Sequence, residues 1–412
     1  MQVQKTEFIK LEKNSSPIKG TITPPASKSE SNRVLIIDAL TDYKCKLDNL
    51  SNARDTQTMI RLLNSHDKVL DVIDAGTTMR FLTAYLSITG QEKVLTGSKR
   101  MCERPIKLLV DALRSLGAGI GYMQQEGYPP LEIQQFDKRK VKTNRLVMKG
   151  DVSSQYITAL LMVAPSLPEG LILELEGKVG SRPYIEMTLS LMKLFGVVSD
   201  WTGNVITITH QQYLPGYYKV ESDWSASSYW YSVVAMSDNA SIELLGYQAE
   251  SFQGDCAIVK LMEHLGVKTT FTKEGILLEK TNSGTSFSWD FSDSPDLAQT
   301  IAVICAAKKI PCRMHGLESL RIKETDRIAA LHTELSKFGS GLEEVEKDKT
   351  YDVILGNFNV DNQTVATYKD HRMAMAFAPL AVLGTLTIEN PEVVEKSYPH
   401  FWTDLKVLNF KY

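Results

Sequence analysis

Leu113-Arg114-Ser115-Leu116-Gly117 is the stretch on which the fold turns, because it returns along the chain. Met192-Lys193-Leu194-Phe195-Gly196, Met262-Glu263-His264-Leu265-Gly266 and Leu335-Ser336-Lys337-Phe338-Gly339 repeat it at intervals of roughly 70 to 80 residues. Each reads as the last turn of an amphipathic helix closed by a glycine in the left-handed C-cap, with a strand to follow. Ile60-Arg61-Leu62-Leu63-Asn64 reads as an earlier copy, with Asn in place of Gly.

Between these tails lies a second kind of helix, apolar on nearly every face. Gln155 to Ala164, Leu297 to Ala306 and Arg372 to Ala381 are examples, and such a helix belongs inside its domain. Small or polar residues precede each: Ser153-Ser154, Ser294-Pro295-Asp296, and Lys369-Asp370-His371. Ser27-Lys28-Ser29, Asp74-Ala75-Gly76-Thr77 and Asp223-Trp224-Ser225 are comparable starts. That makes six units of roughly 50 to 80 residues, each with a strand after the buried helix, such as Leu171 to Glu176 or Leu386 to Ile388. Helix starts of this composition leave backbone N–H groups available, and where they converge they form a site for phosphate or carboxylate.

Cations stand beside these starts. Lys28 sits at the first cap, and Arg33 lies about one turn on, within reach of it. Arg100, Arg104 and Lys107 surround Pro105, which fits the first position of an amphipathic helix. Ser181-Arg182-Pro183-Tyr184 repeats that arrangement, His371 and Arg372 open the sixth buried helix, and Lys396 precedes a last helix start. Arg321-Ile322-Lys323-Glu324-Thr325-Asp326-Arg327 packs three cations and two carboxylates into seven residues. If Thr325 or a neighbour opens the helix that follows, Lys323 and Arg327 share one side of its start, where the helix dipole disfavours cations unless an anion is expected. Any one of these cations alone reads as a surface charge. Together they describe a cleft that binds more than one anionic group.

Composition excludes several classes. The 412 residues suggest two or three domains, and 43% apolar with 23% charged residues is ordinary for a globular protein. A net charge of −3 offers no global basic field for nucleic acid or an anionic membrane. The stretch Met1 to Asn14 is too charged for a signal peptide, and no apolar run approaches a membrane span. Five scattered cysteines and the absence of Cys-x-x-Cys or His-Glu-x-x-His indicate neither a disulfide framework nor a zinc site, so a reducing cytoplasm is expected. Neither nucleotide-binding glycine fingerprint occurs. Cys102, between Arg100 and Arg104, has surroundings that suit a thiolate nucleophile, although packing is the commoner fate of a cysteine.

At this point the chain resembles the 5-enolpyruvylshikimate-3-phosphate synthase family of enolpyruvyl transferases. The resemblance rests on Ser27 to Arg33, Ala75-Gly76-Thr77 with Met79-Arg80, and Arg100 to Pro105. It continues through Gly150 to Gln155, Ser181 to Tyr184, Arg321 to Arg327 and Asp370 to Ala374, in order along nearly the whole chain. It implies an α/β fold of two similar domains, each of three βαβαββ units, with the active site between them (the inside-out α/β barrel of enolpyruvyl transferases). The central domain would span residues 27–221, and the other would combine 1–26 with 222–412.

The implied reaction moves the enolpyruvyl group of phosphoenolpyruvate to the 5-hydroxyl of shikimate 3-phosphate through a tetrahedral adduct. Residue by residue, Lys28 would touch both substrates and stabilise the departing phosphate. Ser29, Arg33, Ser153, Ser154, Gln155, Ser181, Tyr184, Ser319 and Lys323 would hold shikimate 3-phosphate. Gly76, Arg104, Gln155, Arg327, Arg372 and Lys396 would hold phosphoenolpyruvate. Asp296 would contact the acceptor and take the proton of its 5-hydroxyl, and Glu324 would serve the methylene carbon. No metal or organic cofactor, nucleic acid or membrane partner is implied, and a monomer is expected. The chain departs from the common bacterial and plant pattern at Asp74 and Phe81, which replace Asn and Pro, and at Ser319, which replaces Asn. A carboxylate at position 74 would repel phosphoenolpyruvate unless Arg80 or another cation neutralised it.

Overall fold

The computed structural model describes residues 7–14 and 17–412; residues 1–6, part of the charged N-terminal stretch, lie outside them. The chain forms two compact units, one from the residues up to Ala26 with Glu221–Tyr412, the other from Ser27–Val220.

Six nearly apolar helices carry the cores: Lys28–Leu40, Gly76–Ile88, Ser154–Val163, Trp224–Met236, Ala298–Lys308 and His371–Phe377. Trp224, Trp230, Tyr231 and Phe377 are fully buried, which is what an all-round apolar helix requires. Two hydroxyls inside Gly76–Ile88 are satisfied locally: Thr83 and Ser87 donate to the carbonyls of Met79 and Thr83, at 2.7 and 2.6 Å.

In the Ser27–Val220 unit, Gly76–Ile88 and Ser154–Val163 each connect a parallel strand pair. The pairs are Val69–Asp71 with Lys93–Thr96, and Arg145–Lys149 with Leu171–Glu176. The third pair, Lys46–Asp48 with Tyr217–Lys219, joins the two ends of the unit. In the other unit, Phe287–Asp290 pairs with Cys312–His315 and Gln363–Val365 with Leu386–Glu389, again parallel and again across a buried helix. Ile18–Ile22 pairs in parallel with Ala240–Leu245, so the N-terminal strand completes a βαβ unit whose helix comes some 200 residues later. Six parallel strand pairs, three per unit, explain the sequence repeat.

The amphipathic helices end as the tails predicted at four places: Gly117, Gly196, Gly266 and Gly339 have φ of 99°, 85°, 90° and 80°. Asn64 departs from that expectation. It caps Arg54–Leu63 with φ −92°, and its side chain donates to the Ile60 carbonyl instead. The sixth tail, closed by Asn409 at φ 64° after Phe401–Val407, went unread because it has neither glycine nor a following strand.

Candidate active site

In the Ser27–Val220 unit the arginine that stands out is Arg33, 3% exposed on Lys28–Leu40. Its Nε donates to Thr188 Oγ1 at 2.8 Å and its Nη1 to the Ser29 carbonyl at 2.8 Å. Its Nη2 donates to the Tyr184 carbonyl at 3.3 Å and to Thr158 Oγ1 at 3.5 Å. Every acceptor is a neutral oxygen, and burial pushes the guanidinium pKa down to about 10. The positive charge is therefore held without being cancelled by a hydrogen-bonded carboxylate.

Lys28 is the first helical residue, not the cap: Ser27 caps, its Oγ accepting from the Glu30 N–H at 3.3 Å. The Lys28 ammonium lies 3.0 Å from Asp55 Oδ2, a carboxylate the sequence reading passed over. Gly76 and Arg104 are brought together as expected. A Cβ on Gly76 would stand 2.7 Å from Arg104 Nη1 and 3.2 Å from its Cζ, so the guanidinium occupies the space a side chain would take. Arg80 braces this corner, donating to the carbonyls of Gly76 and Pro105, both at 3.2 Å. Arg54 faces Asp74, its Nη2 2.9 and 3.2 Å from the two carboxylate oxygens. Gln155 Nε2 donates to Thr77 Oγ1 at 3.2 Å. Ser153 caps and Ser154 begins Ser154–Val163, and left-handed Ser181 (φ 51°) caps Arg182–Leu194, which carries Tyr184.

Two details correct the sequence reading, and a third bears out its preference for packing at Cys102. Pro105 stands outside its helix, which starts at Lys107 behind the cap Ile106. Not every buried-helix start is left open: Ser27, Asp223 and Asp370 use their own side chains as caps, whereas Ala75 and Ser153 make no side-chain cap bond. The Cys102 thiol donates to the Gly97 carbonyl at 3.7 Å, which suits packing rather than nucleophilic attack.

The other unit holds its arginines with carboxylates. Arg327 is 2% exposed and begins the helix Arg327–Lys337, capped by Asp326. Its Nε lies 2.7 Å from Asp370 Oδ2, its Nη1 3.0 Å from Asp296 Oδ1, and its Nη2 2.9 Å from Glu324 Oε2. Asp296, in the 3-10 turn Pro295–Leu297, reaches Arg372 Nη2 with its other oxygen at 2.6 Å. Glu324 reaches buried Lys396 Nζ with its other oxygen at 3.5 Å. Each of these two carboxylates thus bridges two cations. Burial pushes the Asp296 carboxyl up, but Arg372, Lys323 and Arg327 outweigh it and hold the group well below the usual carboxylate range. Burial likewise opposes the charge of Arg327, and Asp370, Glu324 and Asp296 more than restore it.

Lys323 precedes the helix in an extended conformation, so helix geometry does not align it with Arg327 as the sequence suggested. Ser319 lies half-buried in the 3-10 turn Glu318–Ile322. Arg321 braces this segment, contacting Asp326 at 3.1 Å, Asp348 at 2.5 Å and the Tyr351 hydroxyl at 2.8 Å. Lys396 ends the turn Pro391–Lys396. Tyr229, Asp255 and the role of Asp370 were missed. The Tyr229 hydroxyl is 3.2 Å from Arg372 Nη1, and Asp370 both grips Arg327 and caps His371–Phe377. Asp255 is buried; burial first, then the charge of Asp296, push its carboxyl up to about 7 while Ser225 donates to it. Among the described residues no cluster of His, Cys, Asp and Glu is placed to hold a metal ion, and no helix is long and apolar enough to cross a membrane.

Six parallel strand pairs with six buried helices in two units, and arginine- and lysine-lined helix starts in both, define an α/β protein of the enolpyruvyl transferase type. The chain belongs to the EPSP synthase family: the profile described as EPSP synthase (3-phosphoshikimate 1-carboxyvinyltransferase) matches residues 12–66 and 61–405. A 3-phosphoshikimate 1-carboxyvinyltransferase of Bacteroides fragilis is 49% identical over 402 residues, covering 96% of each chain. One from Idiomarina loihiensis is 35% identical over 421 residues, covering 95% of this chain and 96% of that one. The solved EPSP synthase of Acinetobacter baumannii has the same fold, with a TM-score of 0.76 over 98% of this chain and 99% of that chain, at 19% identity.

Proposed function

We propose that this chain transfers the enolpyruvyl group of phosphoenolpyruvate to the 5-hydroxyl of shikimate 3-phosphate, giving 5-enolpyruvylshikimate 3-phosphate and phosphate in the route to chorismate and the aromatic amino acids. The observation that carries the reading is the pair Asp296 and Glu324, each bridging two cations with Arg327 common to both. A protein that only bound anions would have no use for carboxylates placed among its cations. A transferase needs them, because one proton must leave a hydroxyl and another must reach a carbon.

Phosphoenolpyruvate is held by Lys28, Gly76, Arg104, Gln155, Arg327, Arg372 and Lys396. Shikimate 3-phosphate is held by Lys28, Ser29, Arg33, Ser153, Ser154, Gln155, Ser181, Tyr184, Asp296, Ser319 and Lys323. As the phosphate and carboxylate of phosphoenolpyruvate draw the donors of Arg327 and Arg372, Asp296 loses the partners that hold its pKa down. It becomes a competent base at the moment the substrate arrives, and takes the proton of the 5-hydroxyl. Glu324 delivers a proton to the methylene carbon, the hydroxyl oxygen bonds to the neighbouring carbon, and a tetrahedral adduct forms. Elimination then returns a proton from the new methyl group to Glu324 and expels phosphate, whose growing charge Lys28 meets. The enzyme acts as a cytoplasmic monomer without metal or organic cofactor.

Asp296→Ala and Glu324→Ala test the roles. Each should lower turnover by about a thousandfold or more, as removal of an acid or base does, while both substrates still bind by calorimetry. Unchanged turnover in both variants would refute the assignment.

A further inference from the structure

The residue before the Ala75-Gly76-Thr77 helix start is an acid, Asp74, in a loop proposed to hold an anion. Its placement is enforced. Ile73, just before it, sits at φ 58°, a conformation that a β-branched side chain rarely adopts. Two bonds hold that turn: the Ile73 N–H donates to Asp71 Oδ1 at 2.7 Å, and its carbonyl accepts from the Ser98 N–H at 2.7 Å. Gly97 allows the close approach, since a Cβ there would lie 2.7 Å from the same carbonyl. The strained turn delivers Asp74 to Arg54, whose Nη2 spans both carboxylate oxygens at 2.9 and 3.2 Å. Arg54 begins the helix Arg54–Leu63, and its neighbour Asp55 holds Lys28. One dipeptide thus sets charges of opposite sign against two elements of the proposed anion site.

We propose that the Arg54–Asp74 pair determines how strongly the Ala75-Gly76-Thr77 loop takes phosphoenolpyruvate, Arg54 cancelling a carboxylate that would otherwise repel it. The proposal rests on the reading of that loop given above. Both side chains are about a third exposed, 39% for Arg54 and 32% for Asp74, so the effect is a modest one screened by salt.

The test is the full set of variants Arg54→Ala, Asp74→Asn and the double Arg54→Ala/Asp74→Asn, assayed by phosphate release at low and high salt. Arg54→Ala removes this counter-charge from Asp74 and should raise KM for phosphoenolpyruvate about fivefold, less at high salt. Asp74→Asn leaves an unneutralised cation and should lower that KM about two- to threefold. The double variant should return close to the parent. KM for shikimate 3-phosphate and kcat should stay within about twofold throughout, which a general loosening of the fold would not allow. If both single variants raise KM, the pair only braces the turn and the proposal fails. If neither changes it, the proposal fails as well. Calorimetric titration with phosphoenolpyruvate and bound shikimate 3-phosphate gives the same comparison for a variant too weak to assay. Absence of turnover in the unaltered protein would sink the functional reading instead, a separate outcome.

Discussion

Arg33 and Arg327 are both buried arginines near the start of a helix, and they are held in opposite ways. Arg33 donates to two threonine hydroxyls and two carbonyls; Arg327 donates to three carboxylates. A guanidinium on neutral acceptors keeps its charge for an incoming anion, at the expense of a depressed pKa. A guanidinium among carboxylates has its charge met already, and the anion must displace them. The first arrangement suits binding of a phosphorylated acceptor. The second holds Asp296 in ionised form, and in the reaction proposed above phosphoenolpyruvate releases it. The difference between the units is one of labour, and it lies in the acceptors, not in the cations.

The largest effect should come from breaking the carboxylate side. Asp370→Asn removes a charge from Arg327 while leaving a group that can still cap the helix. It should cost about 3 kcal/mol of stability, as other broken buried ion pairs do, and raise KM for phosphoenolpyruvate; denaturant unfolding and steady-state kinetics measure the two. Gly76→Ala puts a methyl group where the Arg104 guanidinium lies. Because the far end of a flexible side chain gives way, melting temperature should hold while KM for phosphoenolpyruvate rises about tenfold, or 1.4 kcal/mol. Thr188→Val, on the neutral side, removes one hydroxyl acceptor from Arg33 and should cost about 1–2 kcal/mol. Equal losses in Asp370→Asn and Thr188→Val would erase the contrast. Tyr229→Phe takes one hydroxyl from Arg372 and should raise KM for phosphoenolpyruvate about threefold, with kcat held, in line with loss of one ordinary hydrogen bond.

A pH experiment probes the same cluster. Asp255 has a folded pKa near 7 against an ordinary value near 4. Below about pH 4 it is protonated in both states. Between about 4 and 7 the unfolded chain ionises and the folded one does not, so stability falls across that window and levels off above it. Asp255→Asn should flatten the slope of melting temperature against pH there; an unchanged slope would remove Asp255 from the account.

Much of this was legible in the sequence, for local reasons. Gly117, Gly196, Gly266 and Gly339 mark helix ends because a positive φ selects glycine, and the all-apolar helices mark cores. Asn64 misled because asparagine serves either a left-handed cap or, as here, a side-chain bond to the preceding turn. The parallel pairing of Ile18–Ile22 with Ala240–Leu245 leaves no local trace, since it spans the whole intervening unit. The cations of the site announced themselves by standing at helix starts. Their partners did not: Asp55, Tyr229 and Thr188 are ordinary residues in their own helices and gain meaning only from contacts far along the chain. Asp74 was legible as a charge needing a counter-charge, and Arg54 is one cation that supplies it, a partner the sequence did not name.

Phosphate release from phosphoenolpyruvate tests enolpyruvyl transfer to shikimate 3-phosphate directly. With the purified protein, release should require shikimate 3-phosphate and match the enolpyruvyl product mole for mole. Release without that acceptor, or only with UDP-N-acetylglucosamine in its place, would contradict the account.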